Sequence, residues 1–198
     1  MPISPAISGV RSPDEPKPPS IYTIGHGSRP LDEFIGLLIH TGIACLVDVR
    51  AYPGSRRYPY FARTELAHSL PESRIDYVWE GTALGGRRKP RTDSPHAALR
   101  NASFRAYADH MQTTEFHDGV ERLLQRAVTE RIAVMCAERL PWQCHRFLIA
   151  DYLVANGVQV LHIIDEKPPK AHQLHAVARV RGEDVIYDGK VQTELGLE

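Results

Sequence analysis

The run IACLVDV, from Ile43 to Val49, is apolar at every position except Asp48. A strand with one wet face alternates apolar and polar residues. An unbroken apolar run therefore belongs to a strand covered on both sides, the condition of a parallel sheet between helices. The residues before it agree. IYTI (Ile21 to Ile24) is a short β-type run closed by the turn residues Gly25-His26-Gly27-Ser28. Leu31, Phe34, Ile35 and Leu38 then recur at helical spacing, with Pro30 suited to the first turn and Gly42 to the stop. Together these segments predict a βαβ unit with a right-handed crossover.

Further strand-like runs are Ile75 to Trp79, Ile132 to Cys136 and Val158 to Ile164. Helical patterns lie between them at Thr64 to Ser69, Ser103 to Met111, Glu115 to Thr129, and from Pro141 to the Asn156-Gly157 stop. The alternation predicts an α/β domain over residues 21–165, with a mostly parallel sheet of about five strands and helices on both faces. Residues 1–20 hold six prolines and few large apolar groups, so they are expected to form a mobile tail. Residues 166–198 read as an extension with a β-hairpin turning at Arg181-Gly182-Glu183-Asp184. The stretch Glu80 to Asn101 lacks an apolar period and is too long for an ordinary connection, which makes it a candidate lid.

A length of 198 residues suits one core, and the formal net charge of zero gives the whole molecule no strong pull toward nucleic acid or membranes. The charge is unevenly spread. Between Arg50 and Arg105 there are eleven Lys/Arg against five Asp/Glu, a local excess of about +6. Three cysteines and no apolar leader or membrane segment point to a soluble, cytoplasmic protein in a reducing compartment. No cofactor and no oligomeric state can be read from the sequence.

In parallel α/β sheets ligands bind beyond the carboxyl ends of the strands. Three such ends here carry polar groups: His26 and Ser28, Asp48 and Arg50, Cys136 and Glu138. Asp48 and Glu138 are candidate acid–base or nucleophilic carboxylates, since burial and nearby guanidiniums move carboxyl pKa values in opposite directions. The structural alternative for Asp48 is a salt bridge to Arg50, Arg56 or Arg146. Cys144 lies near the expected start of a helix and beside Arg146, where a thiolate is favoured; simple burial is the alternative for Cys136 and Cys144, as it is for Cys45. Cys136, Cys144 and His145 are also zinc-ligand types, and His26 could complete a tetrahedron. However, seven residues separate the two cysteines, where zinc knuckles have two to four, so no metal is expected.

Arginines form the third element, in two groups: Arg50, Arg56, Arg57 and Arg63, then Arg87, Arg88, Lys89 and Arg91. Guanidiniums hold phosphate and carboxylate oxygens in pairs, and Gly85-Gly86 lets a backbone come close to such a group. Tyr52, Tyr58, Tyr60 and Phe61 are interleaved with them, a composition that suits nucleotide or single-stranded nucleic-acid binding and is also common on solvated faces. Neither a Walker loop nor a dinucleotide fingerprint is present.

The ordered segments TIGHGSRPLDEF, VDVRAYPGSRR, ALGGRR, NASFRAYADHM and MCAERLPWQCHRFLIADYLV resemble the domain of unknown function 488 family, from about Ile21 to about Ile164. The resemblance implies a three-layer, Rossmann-like α/β fold and no agreed reaction. It places His26, Ser28, Asp48, Arg50, Pro53, Ser55, Gly85, Gly86, Arg87, Cys136, Glu138, Cys144, His145 and Arg146 in the family's motifs. Pro30 departs from the pattern, standing where relatives carry a capping Ser or Thr. Val47-Asp48-Val49-Arg50 is also similar to a rhodanese segment. A rhodanese loop, though, sets an Arg about six residues after its Cys, and Trp142 stands there, so sulfur transfer is a lesser alternative.

The expectation is an enzyme, a hydrolase or transferase, acting on an anionic nucleotide or nucleic-acid component. Asp48, Glu138 and His26 would do the chemistry. Arg50, Arg87 and Arg146 would hold the anion, and Ser28, Ser55, Gly85, Gly86 and His145 would complete the binding site. The alternatives are a noncatalytic nucleic-acid-binding module, and a metal or thiol protein using Cys136 and Cys144.

Overall fold

The computed structural model describes residues 20–54 and 57–189. The proline-rich segment before Ser20 and the candidate residue Ser55 lie outside them. Six strands form the central sheet: β1 (Ser20–Gly25), β2 (Cys45–Asp48), β3 (Asp76–Trp79), β4 (Ile132–Cys136), β5 (Gln159–Ile163) and β6 (Lys170–Ala171). Their order is β3-β2-β4-β1-β5-β6. The first five pair in parallel and the short β6 runs antiparallel to β5 at the edge.

Alternating side chains of each strand feed two cores. Cys45, Val47, Ile132 and Val134 face α3 (Gly81–Leu84), α4 (Ala102–His110), α5 (Thr114–Thr129) and α6 (Arg146–Ala155). Leu46, Ala133 and Met135 face α1 (Leu31–Thr41) and α2 (Arg63–Glu72) through Phe34, Leu38, Leu66 and Leu70. Each fully buried side chain of this size contributes roughly 1.5–3 kcal/mol. The result is the three-layer, Rossmann-like α/β arrangement, with one edge strand more than the sequence pattern predicts.

Three local features differ from expectation. The stretch from Glu80 to Asn101, expected to be irregular throughout, opens with the short helix α3, whose Ala83 and Leu84 are buried. Pro30 is the residue before α1 rather than within it; it offers no capping side chain, though Gly42 closes the helix in the left-handed conformation. The last long helix begins at Arg146, not at Pro141. Pro141–Gln143 form a 3-10 turn, which a proline starts as readily as an α-helix, and Cys144 is extended. Cys144 therefore stands ahead of the helix rather than in its first turn.

Beyond β5, β7 (Arg179–Arg181) and β8 (Asp184–Ile186) make a hairpin through Gly182. Its flanks are part of the core, since Val177, Val185 and Tyr187 are buried there. Tyr187 also accepts the backbone N–H of Ala98 at 2.9 Å, which anchors the irregular segment 85–101 near its end.

Neighbouring strands β1 and β4 send their chains to opposite faces: β1 leads to α1 and β4 to α6. This is the topological switch point of the sheet, where a crevice opens at the carboxyl ends.

Candidate functional site

A cavity of about 1040 Å³ occupies that crevice. Its lining brings together most of the residues singled out from the sequence: His26 and Ser28 after β1, Arg50 after β2, Gly86 and Arg87 after α3, Cys136 at the end of β4 and Glu138 beyond it, and Cys144 and His145. Asp48, Gly85 and Arg146 stand behind the lining rather than in it.

Asp48 is 0% exposed and fully engaged. Its Oδ1 accepts from the backbone N–H (3.0 Å) and Nε (2.9 Å) of Arg50, and its Oδ2 from Arg50 Nη2 (2.6 Å) and the Tyr77 hydroxyl (2.7 Å). Arg50 Nη2 also donates to the Phe61 carbonyl at 2.8 Å. Burial alone would favour loss of the Arg50 proton, but the Asp48 carboxylate outweighs it and raises the pKa, so the guanidinium stays charged. Asp48 thus positions Arg50 and offers no free lone pair to a substrate in the cavity.

His26 is stacked on Phe61, with ring centroids 4.3 Å apart. Its Nδ1 lies 2.9 Å from the Gly27 carbonyl, which can only accept, so Nδ1 carries the hydrogen. The remaining lone pair, on Nε2, faces Arg50 Nη1 at 3.3 Å. Burial lowers its pKa to about 4, so the imidazole is neutral at physiological pH.

Arg146 is 1% exposed and spends its guanidinium on backbone. Nη1 donates to the Glu138 carbonyl at 2.6 Å and Nη2 to that of Arg139 at 2.8 Å. Gly25 permits this close approach, since a Cβ there would stand 2.8 Å from Arg146 Nη2. The role of an anion ligand does not fit a side chain so placed. The glycines likewise make room for protein. A Cβ on Gly85 would meet the Cα of Ala51 at 2.9 Å, and one on Gly86 would meet the His145 ring.

The floor of the cavity is a thiol–imidazole cluster. Seven intervening residues do not separate Cys136 from Cys144, because the 3-10 turn reverses the chain. His145 Nδ1 lies 3.7 Å from Cys136 Sγ and 3.5 Å from Cys144 Sγ. His145 Nε2 faces the Val49 carbonyl at 3.2 Å, so Nε2 bears the hydrogen and Nδ1 presents its lone pair to the sulfurs. Cys136 is held above the ordinary thiol range, first by donating its S–H to Cys144 and then by burial. Burial opposes ionisation of Cys144 too, but the hydrogen bond from the Cys136 S–H and the nearby Arg146 charge outweigh it and lower its pKa. His26 does not join this cluster, since both its ring nitrogens face other groups.

The walls are cationic. Arg57, Arg87 and Arg139 line the cavity, are exposed, and make no ion pair with any described residue. Arg88 is committed elsewhere, to the Gly85 carbonyl at 2.8 Å and Glu115 at 3.2 Å. Arg87 stands over the ring of Tyr52, which is 75% exposed. Glu138 is the sole carboxylate of the lining and no hydrogen bond from a described residue holds it. Arg139, Gln143, Ser103 and Phe104 complete the wall without having been singled out. Arg139 directly follows Glu138 in a strand-end loop, and that position was the available signal.

Among the described residues, no helix is long and apolar enough to cross a membrane. Neither the curated proteins nor the solved structures hold a match to the chain. The family model described as "Domain of unknown function DUF488" matches residues 30–153, which begin just after His26 and Ser28 and span the Asp48–Arg50 pair, Gly85-Gly86 and the whole thiol–imidazole cluster, and the chain belongs to that family.

Proposed function

We propose that this protein is a cytoplasmic enzyme of hydrolytic or group-transfer type that acts on an anionic nucleotide or nucleic-acid component in the cavity between β1 and β4. The observation that carries the reading is the pairing of three arginines that lack ion-pair partners among the described residues with one carboxylate that none of those residues restrains, around a single cavity. Arg57, Arg87 and Arg139 supply the field and the planar donors that phosphate oxygens need. Tyr52 beside Arg87 offers a stacking face for a base. Glu138 is the acid–base group, and Asp48 and His26 hold Arg50 in place in the lining of the same cavity.

Titrating the full chain with mononucleotides and short oligonucleotides, followed by product analysis, tests this. Arg87→Ala and Arg139→Ala are each expected to weaken binding by roughly ten- to a hundredfold, the worth of a charged hydrogen bond. Glu138→Gln is expected to keep binding and lose turnover. Wild-type turnover in Glu138→Gln sinks the assignment.

The exposed Tyr52–Arg87 platform favours one second reading, a noncatalytic module for single-stranded nucleic acid. Affinity that falls steeply with salt, with no product formed by the wild type, selects it.

A further inference from the structure

We infer that Cys136, Cys144 and His145 form a zinc site with two thiolates and one imidazole, leaving its fourth position toward the cavity. Zn–S bonds of about 2.3 Å and a Zn–N bond of about 2.05 Å at tetrahedral angles require N···S edges of about 3.6 Å and an S···S edge of about 3.8 Å. The two N···S distances are 3.5 and 3.7 Å. All three donor atoms lie within 4.8 Å of one another, so the S···S edge closes with a shift of at most about 1 Å.

The surroundings of the imidazole are those of a ligand. A metal-bound histidine donates its other ring N–H to a carbonyl or carboxylate, which fixes the tautomer. Here Nε2–H faces the Val49 carbonyl, leaving Nδ1 bare toward both sulfurs. Gly86 packs against one side of the ring, and Tyr107 lies 4.8 Å from it by centroids. The Tyr107 hydroxyl is itself fixed by donation to the Leu84 carbonyl at 2.9 Å. The imidazole is therefore oriented before any ion arrives. Two sulfurs and one nitrogen in a closed floor suit a borderline-soft ion of tetrahedral preference and suit magnesium or calcium poorly. Three protein ligands facing open space describe a catalytic rather than a structural zinc geometry.

The inference stands apart from the choice of substrate, because metal uptake is measured without one. Reduced, metal-free full-length protein is titrated with Co²⁺ as a spectroscopic stand-in, then with Zn²⁺ in competition. One equivalent per chain is expected, with the intense visible bands of tetrahedral Co²⁺ and thiolate-to-cobalt charge transfer, both bleached by Zn²⁺. Cys136→Ser, Cys144→Ser and His145→Ala should each lower affinity by more than about a hundredfold, given that loss of an outer-sphere partner alone costs ten- to a hundredfold. Cys45→Ala, at the first position of β2 and buried in the apolar core, should leave uptake and spectrum unchanged. Because the wild-type spectrum itself reports thiolate ligation, a variant that fails to fold does not remove the test. Fewer than about 0.1 equivalents bound by the reduced wild type, a spectrum without charge transfer, or uptake persisting in the Cys136→Ser/Cys144→Ser double variant overturns the inference.

Discussion

Gly86 and His145 occupy one another's space: a Cβ built on Gly86 would stand 2.7 Å from Cγ of the His145 imidazole and closer still to its Nδ1. The Gly86 backbone lies outside the left-handed region, so alanine is acceptable there except for this contact. Gly86→Ala must displace the ring. The expected cost is about 1–3 kcal/mol in urea unfolding, the usual range for overpacking. The larger effect should be local, with Nδ1 leaving both sulfurs and Co²⁺ affinity falling at least about tenfold. Unchanged metal affinity in a folded Gly86→Ala protein would separate Gly86 from the cluster.

Asp48 receives four donated hydrogen bonds, three of them from Arg50, at a fully buried position. Asp48→Asn removes the charge opposite a buried guanidinium and points an amide N–H at a donor. It should cost about 3–5 kcal/mol, the loss seen when one partner of a buried pair is removed. Tyr77→Phe deletes a single bond to an oxygen that keeps Arg50 Nη2, and should cost about 1 kcal/mol. Urea midpoints of the two variants check the ratio. A catalytic Asp48 would instead give an inactive protein of wild-type stability.

A buried chain of hydrogen bonds runs from Thr23 through His162 and His172 to Asp151 and Tyr187. Burial lowers the His162 pKa from 6.5 to about 3, with the neighbouring His172 and Arg146 adding to the effect. The unfolded chain therefore binds a proton at this residue near pH 6.5 while the native protein refuses it until about pH 3. Between those values the unfolded state holds more protons, so stability rises with pH and is lost as pH falls from 6.5 toward 3. The share from His162 is at most ~1.4 kcal/mol per pH unit. Imidazole NMR signals should show His162 neutral at pH 5 in the native protein; titration near 6.5 would contradict this.

The central parallel strands were legible because they are apolar over most of their length, as IACLV and IAVMC show, and those runs need no knowledge of their neighbours; the short polar edge strand β6 carries no such run. Alternation with amphipathic helices then dictated the fold class and the rim on which polar strand ends meet. What could not be read was direction. Arg146 and Arg87 are both arginines beside the rim in sequence, yet one turns inward to two carbonyls and the other outward to Tyr52. For Asp48 a free carboxylate and a salt bridge to Arg50, Arg56 or Arg146 were both compatible with the residue order, and only the fold shows that Arg50, two residues on, turns back onto it. The Cys136–Cys144 convergence depends on the 3-10 turn at Pro141–Gln143, which joins donors that spacing rules for tight zinc loops treat as separate.

Arg146 gives the sharpest test of that distinction between sequence proximity and side-chain direction. It is buried, bridges the carbonyls of Glu138 and Arg139, and leaves its Nε without a hydrogen-bond partner among the described residues. If it acts as a strut for this loop, Arg146→Lys should already fail, because a point-like ammonium cannot span two carbonyls as a planar fork does. At least one carbonyl is then left unpaired, at a cost of about 1–3 kcal/mol, and Arg146→Met should cost more. Both variants should also weaken nucleotide binding, since the backbone they support carries Glu138 and Arg139. If instead Arg146 bound the anion directly, lysine would preserve much of the affinity, methionine would abolish it, and neither would move the urea midpoint. Measuring the midpoint and the affinity on the same two variants decides between the two roles.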